Sequence, residues 1–97
     1  MFKGPRYGIN GIREKLGIKE RPLLMSIFKP CLGLSPAELG SMFCTQAEAG
    51  MDIVKDDEVL YDRDFSFTLR RLEACLKARG KTNSKTMYAI NLTGQAN

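Results

Sequence analysis

The chain has 97 residues, 43% of them apolar and 27% charged, with a formal net charge of +4, an ordinary globular composition. Its basic residues are scattered rather than interleaved with aromatics, which argues against nucleic acid as a partner, and no apolar run approaches the length of a membrane span. The absence of histidine removes His-based acid–base and triad chemistry from this chain, while three cysteines (Cys31, Cys44, Cys75) without CxxC spacing argue against a zinc site and fit a reducing cytoplasm.

Residues 1–21 are rich in glycine and charge. Ile9, Ile12 and Leu16 sit at near-helical spacing with Gly17 as a possible cap, which predicts a short helix inside a connecting segment. Arg21-Pro22 breaks it, because proline biases its predecessor away from helix. The apolar run 23–29, bounded by Pro22 and Pro30, reads as a buried strand. Ser35-Pro36-Ala37-Glu38 is a helix start, with Ser35 as N-cap, proline at the first helical position and Glu38 completing a capping box. Leu39, Met42, Phe43, Gln46 and Ala47 follow with helical period, and Gly50 ends the helix. Residues 51–55 read as a second strand and 56–65 as a loop. A second long helix is predicted over 66–79, with Leu69, Leu72, Leu76 and Cys75 on its apolar face and Gly80 as C-cap. Residues 86–94 read as a third strand with its loop, and nothing follows to cover that strand. The expectation is a piece of a larger domain.

The order is β-α-β-α-β, which implies a parallel sheet with crossover helices. A doubly wound sheet and part of a (β/α)8 barrel both fit. Pro30-Cys31-Leu32-Gly33 is not GxGxxG, which argues against a dinucleotide site. In either architecture ligands bind at the carboxyl ends of the strands. Those ends carry Lys29, then Lys55 with Asp57 and Glu58, then Asn91.

The stretch Asp52-Ile53-Val54-Lys55-Asp56-Asp57-Glu58 is the densest in chemistry. Charge at the end of a buried strand is costly unless something binds it, and clustered oxygen ligands suit a hard cation such as Mg²⁺. The lysine belongs in such a site if its amine captures CO₂ as a carbamate, which turns a cation into an anionic ligand. Lys55 carbamate, Asp57 and Glu58 then offer three oxygens to an octahedral metal. Lys55 and Asp57 lie two apart, so an extended backbone points them the same way. Glu58 joins only if the chain turns there, and Asp56 points elsewhere, toward backbone or a neighbouring base. The metal would polarise a carbonyl and an adjacent hydroxyl and stabilise an enolate. Lys29, its pKa lowered by the metal and by burial, would carry protons. Read blandly, Lys29 forms a salt bridge to a loop acid and Asn91 marks where a strand stops.

These residues resemble a known family. Gly4-Pro5-Arg6-Tyr7-Gly8-Ile9-Asn10-Gly11-Ile12-Arg13, Arg21-Pro22-Leu23-Leu24, Lys29-Pro30-Cys31-Leu32-Gly33-Leu34-Ser35 and Asp52-Ile53-Val54-Lys55-Asp56-Asp57-Glu58 together resemble the RuBisCO large-chain superfamily, in the right order and over nearly the whole chain. The resemblance implies the first three strands of that family's C-terminal (β/α)8 TIM barrel, over 22–97, preceded by a linker with a short helix over 1–21. It also implies that Lys55 is the carbamylated lysine, Asp57 and Glu58 are Mg²⁺ ligands, Lys29 is an active-site lysine and Asn91 is a possible substrate-side residue. Where carboxylases have a lysine this chain has Cys31, and Ile27 stands where a threonine is expected. With Tyr88-Ala89-Ile90-Asn91-Leu92-Thr93-Gly94, these departures make the chain look more like RuBisCO-like proteins, most similar to the 2,3-diketo-5-methylthiopentyl-1-phosphate enolases of methionine salvage. The implied parent is a cytoplasmic homodimer or higher homo-oligomer that enolises a phosphorylated diketo or keto-sugar substrate. The alternatives are carboxylation of ribulose bisphosphate, sugar-phosphate isomerisation, transcarboxylation, or a truncated chain that catalyses nothing.

Overall fold

The computed structural model describes residues 3–29, 34–57 and 65–92, with side chains in the last stretch described from Thr68 onward. The elements in chain order are α1 (Gly8–Leu16), β1 (Met25–Ile27), α2 (Pro36–Glu48), β2 (Ile53–Lys55), α3 (Phe65–Thr82) and β3 (Met87–Ala89). The three strands form one parallel sheet in the order β1-β2-β3. Among the described residues no helix is long and apolar enough to cross a membrane.

The start of α2 follows its sequence. The Ser35 side chain accepts from the Glu38 N–H, and the Glu38 carboxylate accepts from the Ser35 N–H at 2.7 Å. At the other end Gly50 takes φ +97°, and the Gly50 and Met51 N–H groups return to the Ala47 and Gln46 carbonyls. Helix α1 ends the same way at Gly17, φ +72°, with bonds to Glu14 and Arg13. Helix α3 differs from expectation. Gly80 lies within it and Asn83 takes the left-handed turn at φ +50°. Glycine permits a helix end without forcing one, and asparagine tolerates the same conformation.

Register explains which faces are covered. Ser26, Val54 and Tyr88 are paired across the sheet, as are Ile27, Lys55 and Ala89 on the opposite face. The Ser26 face meets α2 and α3. There Phe28, Leu39, Phe43, Ala47, Val54, Cys75 and Ala78 form the core, and the Tyr88 ring stands edge-on to Phe28 and Phe43 at 6.1 and 6.0 Å. The other face keeps Met25 at 55% and Ile27 at 39% exposure. In a closed (β/α)8 barrel this is the face that turns inward. The 23–29 run is therefore buried on one side only here.

The apolar face of α3 also differs from the expected one. Cys75 is buried as expected, but Leu69 and Leu76 are 43% and 46% exposed, and Thr68, Arg71 and Ala78 share the buried side with Cys75. The reason is electrostatic. Arg71 reaches Asp56 beneath the sheet, and that pairing keeps the Arg71 side of α3 turned inward, with Leu69 and Leu76 away from it.

The amino-terminal end of the sheet is tied by Asp52. Its carboxylate accepts both Arg21 nitrogens at 2.8 Å and the Leu24 N–H at 2.8 Å. Arg13 holds the preceding turn through the Ile18 and Arg21 carbonyls. The Arg21 hydrogen bond, helped by the Leu24 N–H, holds the Asp52 carboxyl below the usual carboxylate range against the opposing effect of burial. A depressed carboxyl stabilises the fold above its unfolded pKa, and that contribution is lost as pH falls through the folded value. Asp52→Asn should therefore lower the melting temperature at neutral pH and flatten its fall between about pH 5 and pH 2. An unchanged acid limb in thermal melts would count against this assignment.

Helices α2 and α3 approach closely at Gly40, where an added Cβ would lie 3.1 Å from the Ala74 carbonyl oxygen. At Gly80 an added Cβ would meet nothing within 4 Å. Gly40→Val should destabilise by about 1–3 kcal/mol through overpacking, whereas Gly80→Ala should stabilise by about 0.5–1 kcal/mol. Urea midpoints of the two variants should move in opposite directions.

Candidate functional site

Extending the register by one further pleat beyond Ile27, Lys55 and Ala89 brings Lys29, Asp57 and Asn91 to one level on one face. Hydrogen bonds carry the ladder into this region, from the Phe28 N–H to the Lys55 carbonyl at 3.1 Å and from the Asp56 N–H to the Ala89 carbonyl at 3.0 Å. Lys29 Nζ is paired with the Asp57 carboxylate. Asn91 Nδ2 lies 3.5 Å from the Asp57 carbonyl oxygen. Lys55, one pleat back on the same face, donates from Nζ to the Asp56 carbonyl at 2.8 Å. Four of the five residues singled out from the sequence (Lys29, Lys55, Asp57 and Asn91) therefore meet at the carboxyl ends of the strands. Glu58 lies outside the described residues, as does Cys31.

The environments of the partners are unequal. The Asp57 side chain is 3% exposed and the Lys29 side chain 66%. The Lys29 side chain is thus more exposed than the sequence reading expected. The salt bridge that competed with a catalytic role for Lys29 is formed, and its acceptor is a candidate metal ligand.

Among the described residues, no three His, Cys, Asp or Glu side chains group as ready metal ligands. Unmodified Lys55 offers no acceptor, so the donor set depends on converting its amine and on Glu58. The residues that are placed fit a hard cation. Asp57 is a buried carboxylate with a cation already against it, and it shares a face with Lys55.

Asp56 takes the opposite face. It is 1% exposed and accepts from Tyr88 Oη at 2.6 Å, the Asn91 N–H at 2.8 Å and Arg71 Nη2 at 3.3 Å. The sequence reading sent Asp56 toward backbone or a base, and both are present. It missed Arg71 and Tyr88. Arg71 lies three residues after Thr68 and four before Cys75, a spacing that places it on their stripe of α3. Burial, ahead of the hydrogen bond to Asp56, pushes the Tyr88 hydroxyl up, which keeps it a donor. Burial and then the Asp56 charge push the Cys75 thiol up to about 12.

Comparison with known proteins gives this geometry a context. The chain is 48% identical to a 2,3-diketo-5-methylthiopentyl-1-phosphate enolase of Geobacillus thermodenitrificans over 97% of its own length and 24% of that protein. Its backbone matches the crystal structure of a RuBisCO-like protein from Alicyclobacillus acidocaldarius with a TM-score of 0.78 at 43% identity, covering 97% of this chain and 25% of that one. It also matches a dimeric archaeal RuBisCO from Hyperthermus butylicus with a TM-score of 0.75 at 40% identity, over 90% of this chain and 21% of that one. The chain thus spans about a quarter of the length of the curated relatives it matches. Its β-α-β-α-β order is a portion of their α/β barrel. Residues 8–97 match the catalytic domain of the ribulose bisphosphate carboxylase large chain, and the chain belongs to the RuBisCO large-chain family.

Proposed function

We propose that the protein carrying this chain catalyses Mg²⁺-assisted enolisation of a phosphorylated diketo or keto-sugar substrate, of the methionine-salvage kind. The observation that carries this reading is the convergence of Lys29, Lys55, Asp57 and Asn91 on one face at the carboxyl ends of three parallel strands. Residues 1–21 act as a linker and 22–97 as the opening of the barrel. The cytoplasm is the compartment, and the dimeric relative supports a homo-oligomer.

In this reading the neutral Lys55 amine attacks CO₂, a C–N bond forms as one C=O π bond opens onto oxygen, and the nitrogen loses a proton to solvent. The anionic carbamate oxygen, the Asp57 carboxylate and Glu58 would hold Mg²⁺. When bound, the metal supplies Lewis acidity to a carbonyl and a neighbouring oxygen. Lys29 leaves Asp57 and moves the proton on the carbon next to the carbonyl, and its exposed side chain leaves room for that exchange. Asn91 orients the substrate from β3. Cys31, an uncharged thiol where carboxylases place a cation, favours enolisation over CO₂ fixation.

Lys55→Gln should abolish bicarbonate-dependent activation, and Asp57→Asn should lower kcat/KM by about a hundredfold or more. The assay is turnover of the diketo phosphate by the intact protein with and without bicarbonate. Carboxylation of ribulose bisphosphate at a comparable rate, or full activity of Lys55→Gln, would overturn the reading.

A further inference from the structure

Asp56 is a buried charge that the proposed chemistry leaves unused. An ion pair that served neutralisation alone would need Arg71 and nothing more. Here the same carboxylate also accepts from Tyr88 Oη at 2.6 Å and from the Asn91 N–H at 2.8 Å. One side chain therefore joins the end of β2 to α3, to β3 and to the residue that leaves β3 for the site. Its own N–H is bonded to the Ala89 carbonyl at 3.0 Å, so both its backbone and its side chain bind the neighbouring strand.

Alternation gives this anchor a consequence on the other face. Successive side chains of an extended chain point to opposite sides. Asp56 clamped on the helix side holds Lys55 and Asp57 on the other side, and a slip of one residue would exchange the two sets. The Asn91 N–H bond also fixes how far β3 lies from Asp57, since Asn91 Nδ2 is 3.5 Å from the Asp57 carbonyl oxygen.

We infer that Asp56, held by Arg71 and Tyr88, is a positioning residue that aims the Lys55 and Asp57 ligands at a common metal. This rests on the metal-site reading above. It acts from the opposite side of the sheet and touches neither metal nor substrate. Residues behind metal ligands typically tune affinity by about 10–100-fold.

The test uses the intact protein, with Mg²⁺ titrated calorimetrically in saturating bicarbonate and the carbamate observed by ¹³C NMR with ¹³C-bicarbonate. Asp56→Asn should weaken Mg²⁺ by about 10–100-fold and diminish the carbamate signal. Tyr88→Phe removes a single hydroxyl and should weaken Mg²⁺ several-fold, which keeps the test alive if Asp56→Asn does not fold. Leu39→Ala, a cavity in the same core on α2, should lower the melting temperature and leave Mg²⁺ affinity unchanged. The positioning role falls if Tyr88→Phe and any folded Asp56→Asn bind Mg²⁺ as the parent does, or if Leu39→Ala weakens it as much. Lys55→Gln separates the two levels. Parent Mg²⁺ binding that ignores both bicarbonate and Lys55→Gln sinks the metal site itself, and the positioning role with it.

Discussion

The structure depends most on a carboxylate placed under a sheet. Removing Asp56 and Arg71 from water costs several kcal/mol for each ion, and only close pairing with further hydrogen bonds offsets it. Arg71 is 0% exposed and Asp56 1%, so the pair tolerates little displacement. That intolerance fixes more than charge. It sets the rotation of α3 about its axis, the position of α3 along the strands and the spacing between β2 and β3. The aromatic packing of Tyr88 against Phe28 and Phe43 adds dispersion to the same point.

The two ends of the sheet divide the labour of a parallel α/β fold. At the amino-terminal end Arg21 and Asp52 form a bidentate pair that joins the entering segment to β2. Geometry of this kind holds a structure together and leaves little for a ligand. At the carboxyl end Lys29, Lys55 and Asp57 turn to the other face, where a cation and a carboxylate already oppose one another. The separation follows from strand direction, which is common to all three strands.

Much of this was legible in the sequence, and the boundary of legibility is physical. Local signals were read correctly. Ser35 with Glu38 encodes a cap within four residues, and Gly17 and Gly50 encode reversals within two. The two-residue spacing of Lys55 and Asp57 placed both on one face, because strand periodicity is local too. On α3 the burial of Cys75 was read correctly, but Leu69 and Leu76 were misplaced, because leucines give a stronger apolar signal than Thr68 and Arg71, which take the buried side. Their order is decided by a partner 15 residues away in Asp56, and no helical period contains that information. Gly80 was misread for a related reason. A glycine allows a helix end, but the helix stops where its carbonyls find other donors, here at Asn83 and Ser84.

The core thiol carries a last consequence. Cys75 is wholly buried and its thiol is pushed up to about 12, chiefly by burial. Alkylating reagents attack the thiolate, so the native arrangement shields this sulfur twice, by access and by ionisation. It becomes reactive only when α3 lifts from the sheet. Cys44, half-buried on α2, has no such shield of depth. The ratio of labelling rates at the two sulfurs is therefore a clock for local opening beneath the candidate site, built into the chain and readable without any change of sequence.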